Sequence, residues 1–148
     1  DHHASPEEVA AAGARLVSLE ELLSEADYVT IHVPKTEKTV GMIGVDALAR
    51  MKAGAVLVNT ARGGIVDESA LVEALSSGSL GAAALDVYEE EPLPKDHRLR
   101  TLDNVVLTDH CAYFSEESVT TLKRRAAENL LELLRGNRPN AVVAAPST

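Results

Sequence analysis

Tryptophan is absent from the 148 residues, and phenylalanine and cysteine occur once each. A single cysteine, Cys111, excludes a disulfide framework and a cysteine-rich zinc site, and it predicts a reducing, cytoplasmic setting. Basic residues are scarce: 14 Lys and Arg stand against 23 Asp and Glu, a formal net charge of −9, which makes nucleic acid a poor partner. No apolar run approaches the ~20 residues of a membrane-spanning helix; tracts such as 53–58 and 80–85 are short. Internal repeats and low-complexity tracts are missing as well. What is present is globular in kind, with 45% apolar and 25% charged residues, enough at this length to bury one core.

Helix starts and stops punctuate the chain. Ser5-Pro6-Glu7-Glu8 predicts a capping box with proline in the first turn, and Gly13 predicts the end of that helix. Arg15-Leu16-Val17 is a candidate strand. Ser18 to Glu21 is a second capping box, with Leu19, Leu22 and Leu23 directed inward. Residues 28–32, β-branched and aromatic, predict a strand stopped by Pro34. A short helix over 45–51 is followed by the almost wholly apolar strand 55–59, a run suited to a sheet covered on both faces. Asp67 caps a helix to about Ser76, and residues 82–87 and 104–108 are further strands. The longest helix runs from Ser115 to about Arg135, with Val119, Leu122, Ala126, Leu130, Leu133 and Leu134 on its inward side. A short strand at 141–143 is possible on pattern alone.

Strands alternating with helices imply a parallel sheet, and ligands of such sheets bind beyond the carboxyl ends of the strands. Four segments occupy those ends: His32-Val33-Pro34, Thr60 to Gly64, Asp86-Val87-Tyr88 and Asp109-His110. Arg62, ahead of two glycines, can fork onto a carboxylate, although an arginine in a loop can equally face only water. His110 can act as an acid or base near neutrality, or be satisfied by local backbone. His32, with proline close behind, fits a structural role or a backbone contact with a cofactor. Glu89, Glu90 and Glu91 form a solvated acidic run from which one carboxylate could orient a histidine, and spacing does not choose among them. Asp86, ending an apolar strand, requires a helix cap, a loop tie or a ligand amide.

Two long motifs carry a resemblance. Val58-Asn59-Thr60-Ala61-Arg62-Gly63-Gly64-Ile65-Val66-Asp67-Glu68 and Ala84-Leu85-Asp86-Val87-Tyr88-Glu89-Glu90-Glu91-Pro92 resemble signatures of the D-isomer-specific 2-hydroxyacid dehydrogenases, and His32-Val33-Pro34-Lys35-Thr36 and Met51-Lys52-Ala53-Gly54 follow at family spacing. The resemblance implies an NAD-dependent oxidoreductase acting on a small 2-hydroxy or 2-keto acid. Arg62 would anchor the substrate carboxylate, His110 would be the acid–base residue, and Glu91 would pair with it. Thr60, Ala61 and Asp86, with Arg62 and His110, would lie toward the nicotinamide half of the cofactor. His32, Val33 and Pro34 would line the adenine side, and Asp1 would bind the adenosine ribose, favouring NAD over NADP. No metal is implied. Family resemblance also suggests a homodimer.

Departures from the family pattern shape the remaining expectations. Asp109 stands where proline is usual, and Cys111 to Ser118 is more similar to the branch containing the C-terminal-binding-protein corepressors, which carry an aromatic there. An NAD(H)-sensing interaction protein is therefore the alternative to an enzyme. No Gly-x-Gly-x-x-Gly occurs in the 148 residues. The expected fold is α/β, a Rossmann-like parallel sheet with helices on both faces, missing its first strand, first helix and most of the second strand. Residues 1–112 would be the C-terminal part of the dinucleotide-binding domain, and 113–148 a return helix and tail toward an absent substrate domain. Such a piece alone is expected to bind NAD weakly, to turn over no substrate and to expose the 28–32 strand edge to self-association.

Overall fold

A computed structural model of the chain describes residues 4–139. Among these residues four short parallel strands form a sheet in the order β1-β2-β3-β4: β1 is Tyr28–Ile31, β2 Val56–Asn59, β3 Ala82–Leu85 and β4 Val105–Leu107. Register sets the core. Val29, Leu57, Ala83 and Val105 stand side by side, as do Ile31, Asn59, Leu85 and Leu107. Because side chains alternate along a strand, these odd-numbered positions share one face, and on β1 to β3 all of them are buried. The even-numbered face of β2 and β3 is half-buried, so the apolar run in β2 resolves into one deep face and one shallower face.

Among the described residues five helices accompany the strands: α1 Pro6–Ala11, α2 Leu19–Glu25, α3 Val45–Arg50, α4 Glu68–Ser76 and α5 Glu116–Leu134. Their starts follow the predicted chemistry. Ser5 and Glu8 form the reciprocal capping box, and the Asp67 carboxylate accepts from the Ala70 amide at 2.9 Å; of the second expected box only the Ser18 half is found, its hydroxyl accepting from the Glu21 amide at 3.1 Å. In α4, Leu71, Val72 and Leu75 are buried as the periodicity requires; burial of each such side chain is worth about 1.5–3 kcal/mol. The link from β3 to β4 is loop plus one 3-10 turn at Arg98–Thr101, long enough for a parallel crossover.

Three expectations are corrected. Residues 15–17 form no strand, since a strand exists only through a laddered neighbour and none lies beside them among the described residues. In α2 only Leu23 is buried, whereas Leu19 and Leu22 are exposed. In α5 the predicted inward stripe is not buried: Leu122, Leu130, Leu133 and Leu134 are all exposed. The suggested strand at 141–143 lies outside the described residues. The chain divides into two compact units, one ending at Ala112 and one starting at Tyr113.

Candidate active site

The carboxyl ends of β1 and β2 open into a cleft of about 640 Å³ lined by residues 32–35 and 60–62. His32, Val33, Pro34, Thr60, Ala61 and Arg62 thus share one concavity, as expected for residues at strand ends. The His32 imidazole lies back against its own strand, with Nε2 2.9 Å from the Thr30 hydroxyl, which suits the structural role read for it. Asp1 lies outside the described residues.

Arg62 stands on a turn built by a residue that sequence reasoning left without a role. Asn59, the buried last residue of β2, accepts from the Ala61 amide through Oδ1 and donates to the Arg62 carbonyl through Nδ2, both at 3.1 Å. Its side chain closes the turn as a backbone segment would. The signal was a polar residue ending an apolar strand, the same signal that singled out Asp86. Gly63 follows for a steric reason: a Cβ there would lie 1.6 Å from the Tyr88 carbonyl oxygen. The Arg62 turn therefore rests directly on the backbone of the loop after β3. The guanidinium is exposed, held by one bond from Nη1 to the Ala61 carbonyl at 2.6 Å.

The loop after β3 is the second half of the site. Buried Tyr88 ties it down, its hydroxyl lying 2.6 Å from the Thr108 carbonyl and 3.0 Å from that of Leu85. The Tyr88 amide donates to Glu91 Oε1 at 3.0 Å, and the other oxygen, Oε2, lies 2.7 Å from His110 Nδ1. The hydrogen bond from His110, helped by the Tyr88 amide, holds the Glu91 carboxyl below the usual carboxylate range. Two of the three glutamates thus separate by geometry. Glu91 meets His110, while Glu89 accepts from the Glu68 amide at the start of α4 at 3.0 Å.

His110 has a backbone φ of +48°, a conformation that costs a non-glycine residue about 1–3 kcal/mol and persists only where its surroundings over-determine it. Asp86 supplies that constraint. Its carbonyl accepts from the His110 amide at 2.9 Å. Its carboxylate accepts from the Cys111 and Ala112 amides at 2.8 and 2.9 Å, and from the Thr108 hydroxyl at 2.5 Å. Burial alone would raise the Asp86 carboxyl, but the Thr108 hydroxyl and the Ala112 and Cys111 amides outweigh it and hold its pKa low. Of the three reasons offered for a carboxylate at the end of β3, the loop tie is the one found. Asp109, where the family commonly has proline, is exposed. Tyr113 and Phe114, also exposed, pack edge to face with centroids 6.4 Å apart.

The arrangement can orient an anion at Arg62 and move a proton at His110, whose Nδ1 is committed to Glu91 and whose Nε2 has no protein partner among the described residues. Arg62 and His110 stand on adjoining loops of one sheet edge, joined through Gly63, Tyr88 and Glu91. His110 is not among the residues lining the cleft.

Comparison with known proteins places the chain beside one family. A family model described as "D-isomer specific 2-hydroxyacid dehydrogenase, NAD binding domain" matches residues 1–112. A glyoxylate reductase from Korarchaeum cryptofilum is 48% identical over 131 residues, covering 88% of this chain and 40% of that protein. A D-3-phosphoglycerate dehydrogenase from Archaeoglobus fulgidus is 43% identical over 147 residues, covering 99% of this chain and 28% of that protein. Among solved structures, a D-lactate dehydrogenase with NAD+ from Lactobacillus jensenii aligns with a TM-score of 0.89 at 32% identity, covering 98% of this chain and 47% of that one. The chain thus spans less than half the length of each of these relatives.

Proposed function

This chain belongs to the D-isomer-specific 2-hydroxyacid dehydrogenase family, and from that membership we propose that it is the cofactor-domain portion of a longer enzyme that reduces a small 2-keto acid to a D-2-hydroxy acid. The observation that carries the reading is the Glu91–His110 pair at 2.7 Å, mounted on a backbone that Asp86 constrains three residues running. NADH, when bound, supplies the hydride. Arg62 binds the substrate carboxylate through its forked guanidinium. His110 holds a proton on Nε2 and delivers it to the keto oxygen. Glu91 keeps the ring oriented through Nδ1 and compensates the imidazolium charge. Thr60 and Asp86 lie toward the nicotinamide half of the cofactor and residues 32–34 toward its adenine half. Pyrophosphate binding falls to a glycine-rich turn elsewhere in the longer protein, which works as a cytoplasmic homodimer.

The test uses the whole protein with NADH and a 2-keto acid. His110→Asn is expected to lower keto-acid reduction by about 10²-fold or more, the low end of what a positioned acid–base group contributes, while NADH affinity stays close to that of the unsubstituted protein. Arg62→Ala is expected to lower kcat/KM by a similar factor, equivalent to about 3 kcal/mol of transition-state binding. Collapse of NADH affinity with single-turnover chemistry preserved would make His110 a cofactor residue instead. The exposed Tyr113–Phe114 pair favours the alternative, an NAD(H)-sensing interaction protein of the corepressor kind. That reading gains if His110→Asn leaves the cellular role of the protein intact.

A further inference from the structure

Glu68 is a buried carboxylate that the proposed reaction leaves unused; the other buried polar residues among those described, Asn59 and Asp86, hold the loops at the strand ends. It opens α4, a short way beyond Arg62. A glutamate at a helix N-terminus meets the favourable end of the helix dipole whether or not it is buried, and Glu116, at the same position of α5, stays exposed. Drawing Glu68 inward needs a further cause, because a buried charge is costly unless its oxygens are met.

Both oxygens are met by one loop. Oε1 accepts from the Glu89 amide at 2.5 Å, in exchange for the bond from the Glu68 amide to the Glu89 carboxylate. Oε2 lies 3.3 Å from His97 Nε2. His97 Nδ1 accepts from the Leu99 amide, also at 3.3 Å, so the ring carries its proton on Nε2, facing the carboxylate. Glu68 thus grips the loop at residues 89 and 97, on either side of Glu91. At the near end, the peptide group whose N–H it holds is the one whose carbonyl oxygen abuts Gly63, and the amide of Tyr88, next along, directs Glu91. At the far end, α4 and residues 94–98 border a hollow of about 440 Å³, spanned by the His97–Glu68 contact and the Arg98–Glu73 ion pair.

We propose that Glu68 and His97 are positioning residues for the Glu91–His110 pair: the Glu68 carboxylate, held by the Glu89 amide on one side and His97 on the other, fixes the loop that aims Glu91 at the histidine. Neither residue touches His110, so each acts through Glu91. The proposal rests on the catalytic reading above for what the pair does. Charge alone acts differently, and the charged groups can be named. Burial pushes the Glu68 carboxyl up; the Glu89 amide and His97 oppose that, and the Glu89 and Glu91 carboxylates add to it. The acidic groups toward His110 are Glu91 and Asp86. Loosening the loop weakens the Glu91 bond and so lowers the proton affinity of His110. Loss of the Glu68 charge would lower it too, but loss of His97 removes either no charge or a positive one, which by charge alone would leave it or raise it. The two mechanisms therefore part at His97.

The test uses the whole protein. The His110 ring is titrated by NMR, its signal assigned by its absence in His110→Asn, and the pH profile of keto-acid reduction is measured beside it. Glu68→Gln and His97→Ala are each expected to lower the His110 pKa by about half a unit or more, part of the roughly one to two units that loss of a whole hydrogen bond to a charged group would give. The alkaline limb of the rate should follow. His97→Gln, which can again present an N–H to Glu68, is expected to restore most of the shift. In a Glu91→Gln background His97→Ala should add little, since residues that act through one group are not additive. A His110 pKa that rises or stays in His97→Ala, or an equal further fall in the Glu91→Gln background, would overturn the proposal. His97 is partly exposed, so His97→Ala decides the matter even where Glu68→Gln does not fold. If Glu91→Gln and His97→Ala both lower the ring pKa but the rate limb ignores them, the catalytic reading fails and the positioning stands. If Glu91→Gln moves pKa and limb together while His97→Ala moves neither, the positioning fails and the catalytic reading stands.

Discussion

Gly63→Ala isolates the contact on which the two halves of the site lean. The added methyl carbon would sit 1.6 Å from the Tyr88 carbonyl oxygen and 2.1 Å from its carbon. Both obstacles are backbone, and a Cβ has no torsion by which to avoid them. Overpacking a buried site costs about 1–3 kcal/mol, occasionally more. A clash that only main-chain movement can relieve belongs at the top of that range, about 3 kcal/mol. With a urea dependence of about 2 kcal/mol per molar for a small domain, the unfolding midpoint should drop by about 1.5 M. Circular dichroism suits the measurement, because the chain lacks tryptophan. Gly64→Ala is the control. Gly64 has a φ of +79°, which costs an alanine about 1–2 kcal/mol, but its nearest obstacle is the end of the flexible Lys35 side chain, which can swing away. The order of damage is therefore Gly63→Ala above Gly64→Ala. A midpoint for Gly63→Ala within about 0.3 M of the unsubstituted chain, or a reversed order, would refute the claim that the Arg62 turn rests on the Tyr88 backbone.

Asp86→Ala removes three hydrogen bonds to a charged group at the end of β3, each worth about 1.5–3 kcal/mol at most where water cannot replace it, and is expected to accelerate hydrogen exchange at the Cys111 and Ala112 amides. Because the folded-state pKa of Asp86 is depressed below its ordinary 3.8, its stabilising contribution is fully present above that value and fades as pH falls through the lower folded pKa; protection of those two amides should follow the same course in an acid titration. Glu91→Gln removes the carboxylate that faces His110, so the alkaline limb of keto-acid reduction should move to lower pH in a rate profile, and an unmoved limb would remove Glu91 as the partner of His110.

The regular elements were legible wherever one local signal sufficed. The strands β1 to β4 announced themselves as short apolar runs between turn residues, and α4 by its cap, its 3.6-residue stripe and its terminal glycine. Legibility failed where the outcome depended on a neighbour. Residues 15–17 have strand composition but no ladder partner among the described residues, and composition alone cannot supply one. The leucines of α5 follow a helical stripe faithfully, yet a stripe says only that a face is apolar, not that anything covers it. The pairing of Glu91 rather than Glu89 or Glu90 with His110 likewise came from the loop: Tyr88, held at both ends of its side chain and backbone, turns Glu91 toward the histidine and leaves Glu89 to the start of α4.

The polar residues at and beyond the ends of the apolar strands divide by burial, and the division matches the proposed one between positioning and chemistry. Asn59 and Asp86, 2% and 3% exposed, spend their hydrogen-bonding capacity on the loops that follow them. Arg62 and His110, each a few residues beyond a strand end, are exposed and keep free the atoms that the proposed reaction would use. A buried polar group must be satisfied internally, so a residue such as Asp86 is costly to use and suited to holding backbone in an unfavourable conformation. An exposed group retains its donors for a ligand but cannot fix its own position. The site requires both kinds in sequence order: a buried acceptor at the strand end first, then the acting side chain on the backbone that acceptor has constrained. His110 at φ +48°, with its own amide and the next two directed at Asp86, is that arrangement in its most economical form.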